Sequence, residues 1–199
     1  MLSIEKYNSI QNGWKNISKQ DMIERIKRGI HHTIRNTKYY DMVAGGSYVE
    51  ILCQITGLDK QAVMTYNSKY DKKGNYKHKF PLIYLAKIAI AFSIGLEYLV
   101  GASEEMEQTP SAQEYLDVCQ LYKMVGKMTV SQNVKFFKGG KGINTNEDIA
   151  MLLGLSPNTV KANLSSGPRV ANNMFTIEQI YKLAEGFDVD IDRMFKKIE

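Results

Sequence analysis

Cysteine is nearly absent: the 199 residues include two, Cys53 and Cys119, far apart and each among apolar neighbours. That excludes a disulfide framework, and buried thiols are expected. No apolar run approaches the roughly 20 residues that span a bilayer, and Met1-Leu-Ser-Ile-Glu-Lys-Tyr7 has no signal-peptide hydrophobic core. A cytoplasmic protein is expected. The three histidines, His31, His32 and His78, have no cysteine or carboxylate partner at metal spacing, and adjacent His31 and His32 point different ways on a helix, so no zinc site follows. Gly139-Gly-Lys-Gly142 lacks the Lys-Ser/Thr pair and the preceding apolar strand of a phosphate loop. No nucleophile stands beside a base in a recognisable pattern. Neither an enzymatic activity nor a cofactor is expected.

The length suits two small domains, each able to bury a core. Net charge is +5, and its distribution says more than its total. Residues 1–100 hold 15 lysines and arginines against 8 acids, residues 101–199 hold 11 against 13. A basic N-terminal half points to a polyanionic partner.

Residues 47–68 organise the first half. Ile51, Leu52, Ile55, Leu58, Ala62 and Val63 recur at the spacing of two short helices packed across a tight turn. Gly57 stands where the first helix must stop, and Asp59 can cap the second. Upstream, residues 1–17 read as a polar N-terminal arm interrupted by Gly13, with Trp14 and Ile17 as its contacts. Ser18 with Asp21 resembles a capping box opening a helix from Lys19 to about Asn36. Downstream, six lysines lie between Lys60 and Lys79, with Asp71 as the only counter-charge beyond the cap. Lys69, Lys72, Lys73, Lys77 and Lys79 would reach phosphates flanking a groove, positioning the protein without reading sequence. Pro81 then begins a helix striped by Leu82, Leu85, Ala86, Ile88, Ala89 and Phe92, and Leu96 to Val100 forms a last short one.

Residues 102–111 are acidic and polar, as a linker or the start of a new helix would be. An amphipathic stretch follows from Ala112 to Val125, and the basic segment from Lys135 to Gly142 reads as a hairpin or the frayed end of a helix. The second half then repeats the first. Residues 144–164 give helix, glycine turn at Gly154 and helix, with Ser156 as N-cap and Pro157 at the first helical position. Thr176 with Gln179 makes a capping box. Lys87-Ile-Ala-Ile-Ala-Phe-Ser-Ile94 aligns without a gap against Lys182-Leu-Ala-Glu-Gly-Phe-Asp-Val189, at nearly the same offset from the turn glycine. Two similar units point to tandem domains.

Both units resemble the Cro/phage-repressor (XRE-like) helix-turn-helix family. The motifs that carry the resemblance are Leu52-Cys-Gln-Ile-Thr-Gly-Leu58 with Leu85 to Leu99, and Ile149-Ala-Met-Leu-Leu-Gly-Leu-Ser156 with Ile180 to Ile191. It covers residues 18–101 and 112–197. The resemblance implies an all-α fold of two tandem five-helix domains: an arm at 1–17, a first domain at 18–101, a linker at 102–111 and a second domain at 112–199. It implies that the third helix of each enters the DNA major groove. The base-facing residues would be Lys60, Gln61, Met64, Thr65, Tyr66 and Asn67 in the first unit, and Asn158, Thr159, Lys161, Ala162 and Asn163 in the second. Where the family often has a glutamine opening its second helix, this chain has Val49 and Asn146, and neither recognition helix has an arginine, the frequent guanine reader.

The function expected from this is a transcriptional regulator, a phage or mobile-element repressor on double-stranded DNA, using its two units on neighbouring half-sites or acting as a homodimer. The alternative is a phage-encoded inhibitor of the anti-CRISPR type, using the same scaffold to grip a nuclease, its nucleic acid, or both. The acidic second half, the missing arginines and the aromatic-rich loop from Tyr66 to Tyr76 favour that alternative.

Overall fold

The computed structural model describes residues 1–33, 48–67, 78–140, 142–165 and 174–197. Among these the chain is all-α, with eleven helical segments and no strand. It divides into two compact units, one of residues 8–116 and the other of residues 1–7 with 117–199.

The first unit contains most of α1 (Ile4–Asn16), then α2 (Lys19–Thr33), α3 (Tyr48–Thr56), α4 (Lys60–Asn67), α5 (Leu82–Phe92) and α6 (Leu96–Leu99). The stretch expected as an arm broken at Gly13 is instead a continuous helix. Gly13 is needed for closeness: a Cβ there would lie 2.9 Å from the Val100 carbonyl oxygen. Trp14 contacts the unit as expected, its indole N–H donating to the Phe80 carbonyl at 2.8 Å. At the head of α2, the Ser18 hydroxyl accepts from the Asp21 amide at 3.0 Å and donates to its carboxylate at 2.7 Å. Residues 34–36, the expected end of this helix, lie outside the described residues. Met22, Ile26, Ile51, Leu52, Val63, Leu85, Ile88 and Phe92 form the core, with α3 packed on α4 and α5, and α2 on α5 and α6. Gly57 adopts φ +74°, the left-handed stop that ends α3, and the Asp59 carboxylate accepts from the Ala62 amide at 2.7 Å to open α4.

Residues 102–111, expected as a linker, are bonded to this unit. The Gly95 amide donates to the Met106 carbonyl at 3.0 Å, the Thr109 hydroxyl donates to Glu97 at 2.6 Å, and Arg25 donates to the Ser103 carbonyl and pairs with Glu104. The division between units falls further on, inside α7 (Ser111–Phe137). That helix is two arms merged across Gly126, whose φ of 75° and ψ of 171° are not helical.

The second unit continues with α8 (Asn146–Leu153), α9 (Pro157–Leu164), α10 (Ile177–Phe187) and a 3-10 turn, Ile191–Met194. Packing of α8 on α9 and α10, and of α10 on the final turn, reproduces the neighbour pattern of α3, α4, α5 and α6. Gly154 ends α8 at φ +65°, Ser156 caps α9 through the Thr159 amide at 3.1 Å, and Thr176 with Gln179 forms the capping box of α10. One detail of the repeat is backbone geometry alone. Helix α5 ends on Ser93 at φ +54° and α10 on Asp188 at φ +55°, positions that the ungapped sequence pairing places opposite each other. No helix among the described residues is long and apolar enough to cross a membrane.

Candidate nucleic-acid interface

On α4 the inward stripe is set by Val63, which is fully buried. Lys60, Gln61 and Met64 on the same helix are exposed. Thr65 is half-buried: its hydroxyl donates to the Gln61 carbonyl at 2.9 Å, and its own carbonyl accepts from Lys19 Nζ at 3.1 Å. Tyr66 turns toward the core, with its ring centroid 5.1 Å from Phe80 and 6.4 Å from Tyr84. The side-chain oxygen of Asn67 is buried. The outward set on α4 is thus narrower than the resemblance implies. Lys69, Lys72, Lys73 and Lys77 lie outside the described residues.

Lys79 requires a correction. Its ammonium donates to the carbonyls of Trp14, Lys15 and Ile17 at 2.7, 2.9 and 2.9 Å, and it sits 5.3 Å from the Trp14 ring centroid. An ammonium has three protons, so this geometry leaves none for a phosphate. Burial lowers its pKa. Lys79 closes the C-terminal end of α1.

On α9, Asn158, Thr159 and Lys161 are exposed and Ala162 is half-buried. The Thr159 hydroxyl is engaged with Ser156 Oγ at 2.8 Å, as part of the helix cap. Asn163 is the second correction. It is 5% exposed, because it lies three residues past Val160 on the inward stripe, and its carbonyl accepts from Ser131 Oγ at 3.0 Å. It is a core position and faces no groove.

The structure brings together residues from three elements that the sequence keeps apart. Lys135 and Lys138 at the end of α7, Asn146 at the start of α8, and Lys161, Leu164 and Ser165 at the end of α9 line one open groove of about 490 Å³. Of these, Asn146 and Lys161 are expected site residues; Lys135 and Lys138 are not. Their spacing of three on the last turn of a helix, which puts both on one face, was the available signal. The Lys138 ammonium donates to Asn146 Oδ1 at 2.9 Å. Behind it, the Asp148 carboxylate accepts from the amides of Asn144 and Thr145 at 2.9 and 2.8 Å. Those two bonds, with the Thr145 hydroxyl and then the Lys138 charge, hold its carboxyl below the usual range. The carboxylate is thereby fixed to the start of α8, and none of the groove's lining residues is acidic.

A groove lined by three ammonium groups, one amide and one hydroxyl can hold the oxygens of a polyanion by charge and hydrogen bond. No cluster of three or more metal-binding side chains occurs among the described residues. Compared with known proteins, the chain matches no family model, no curated protein and no solved structure.

Proposed function

We propose that the protein is a transcriptional regulator that binds duplex DNA through two tandem helix-turn-helix units, as a phage or mobile-element repressor does. The repetition supports this reading: α2 to α6 on one side, and the second arm of α7 with α8, α9, α10 and the 3-10 turn on the other, follow the same order. Both carry a left-handed glycine after the second helix and a left-handed residue after the fourth. In this reading α4 and α9 are the recognition helices, presenting Lys60, Gln61 and Met64, and Asn158, Thr159 and Lys161.

The observation that carries the proposal is the lysine groove beside α9. Helix α9 presents Asn158 at its outer end, where a base edge would be read, while the groove at its other end would grip the backbone. The test is selection from a random-sequence duplex pool and from the gene's own upstream region at two salt concentrations. Enrichment of a site with two half-sites is expected. Lys135→Ala combined with Lys161→Ala should weaken binding alike on all sequences and reduce the slope of log affinity against log salt by about 2, roughly one per lysine. Asn158→Ala or Gln61→Ala should relax preference at particular base pairs by about 1–3 kcal/mol. Binding that vanishes with salt and enriches nothing would overturn the regulator reading and favour the protein-inhibitor alternative.

A further inference from the structure

Because the two units repeat one order of helices, each is a control for the other. The Arg25 guanidinium donates to the Tyr98 carbonyl at 3.1 Å, and the Asn133 side-chain amide donates to the Arg193 carbonyl at 3.1 Å. The ungapped pairing sets those two carbonyls opposite each other. That registers α2 on the second arm of α7, with buried Met22, Ile23 and Ile26 opposite buried Val130, Ser131 and Val134. Lys135 then falls opposite Lys27, and Lys138 opposite Ile30. Counting from the glycine stops at 57 and 154 sets Asn146 opposite Val49 and Lys161 opposite Met64. Ile30 is core at 3% exposed. Lys27 has the Glu24 carboxylate 3.6 Å away, where the second unit has neutral Gln132. The shared arrangement of helices therefore does not need the three lysines of the groove. They are particular to the second unit and stand where no lining residue is acidic.

We infer that this groove takes a small polyphosphate, free or as a nucleoside triphosphate, and that its occupancy releases DNA. The volume of about 490 Å³ lies in the range of small-molecule sites, roughly 300–1,000 Å³. Three ammonium groups suit a chain of phosphoryl groups, and Lys138 keeps two of its three protons beyond the bond to Asn146. Asn146 and Ser165 add hydrogen-bonding groups, while Leu164 and the lysine stems are the apolar surface of the same lining. This inference rests on the DNA reading and adds regulation to it: Lys161 is on α9, so a bound polyphosphate takes the charges that grip the backbone and sets like charge against the duplex.

The test uses the full chain in two arms. The first needs no DNA: inorganic tripolyphosphate and ATP are titrated calorimetrically, with sulfate at matched ionic strength as the control. One site is expected. Lys135→Ala and Lys161→Ala, both at exposed positions, should each weaken it roughly tenfold, the size of one hydrogen bond to a charged group, and Lys27→Ala should leave it unchanged. Tighter binding of ATP names a nucleotide as the source; equal binding names the phosphate chain alone. Polyphosphates that bind no better than sulfate, or bind the groove variants as tightly as the wild type, would overturn the assignment. In the second arm the selected duplex is titrated at fixed ionic strength with the tighter probe at ten times its Kd. The apparent Kd for the duplex should rise about tenfold by mass action. Duplex binding that is indifferent to the saturated groove would overturn the regulation. A wild type that enriches no duplex defeats the regulator reading, and the calorimetry still decides what the groove holds.

Discussion

A lysine can neutralise a helix C-terminus as well as a phosphate, because the last carbonyls of a helix are unpaired and carry partial negative charge. Three lysines of the basic half bond to backbone carbonyls in this way. Lys79 holds the end of α1, Lys87 donates to the Thr56 carbonyl at the last residue of α3 at 2.8 Å, and Lys19 donates to the Thr65 carbonyl in the last turn of α4. Lys79→Met should cost about 2 kcal/mol in urea denaturation, the scale of hydrogen bonds lost from a charged donor, and leave the salt slope of DNA binding unchanged. A reduced slope with unchanged stability would return Lys79 to the phosphate contacts. Counting charge could not separate these roles. The Trp14, Lys15 and Ile17 carbonyls reach Lys79 from more than sixty positions away, and no local pattern records that meeting.

At the scale of elements, two kinds of glycine have to be distinguished. Gly57 and Gly154 take positive φ with open space around them, so backbone conformation alone requires them. Gly13 is helical and is required by approach, with the Val100 oxygen, the Ala102 Cβ and the Ala102 nitrogen 2.9, 3.0 and 3.1 Å from where its Cβ would stand. Alanine would add up to about 1 kcal/mol of helix propensity, while the backbone displacement it forces costs about 1–3 kcal/mol. Gly13→Ala is therefore expected to destabilise the first unit, read as a lowered urea midpoint monitored by Trp14 fluorescence. A raised midpoint would show that α1 packs less closely than this. The stops and caps were legible because each is a bond spanning two to four residues: Ser18 with Asp21, Asp59 with Ala62, Ser156 with Thr159, Thr176 with Gln179. Gly13 was misread as a break because what it touches is remote in sequence.

For the molecule as a whole, the second unit is completed by the beginning of the chain. Leu2 is fully buried, Tyr7 is 3% exposed, and the Tyr7 ring stacks on Tyr181 with centroids 3.8 Å apart. The Tyr181 hydroxyl donates to the Leu2 carbonyl at 3.1 Å. Tyr7→Ala should cost this unit about 3–5 kcal/mol, the usual penalty for truncating a buried aromatic, measured by denaturation followed by far-UV circular dichroism. A loss below about 1 kcal/mol, typical of a surface substitution, would mean that residues 1–7 are not part of that core. Net charge also misleads at this scale. The C-terminal half carries more acids than bases, yet three of its lysines converge in one groove while Glu178, Glu185, Asp188 and Asp192 lie on α10 and the turns after it. The sequence by itself determined α2 to α6, α8 to α10, their caps, the two glycine stops and the repeat, because helical periodicity and capping act over a few neighbouring residues, whereas α1 and the second arm of α7 were not read as helices. Only the tertiary structure decided which lysines are turned inward, that Asn163 is core, that residues 1–7 belong to the second unit, and that Lys138 meets Asn146. Each of those depends on elements brought together by burial, and on the particular carbonyl, ring or amide that burial places opposite them.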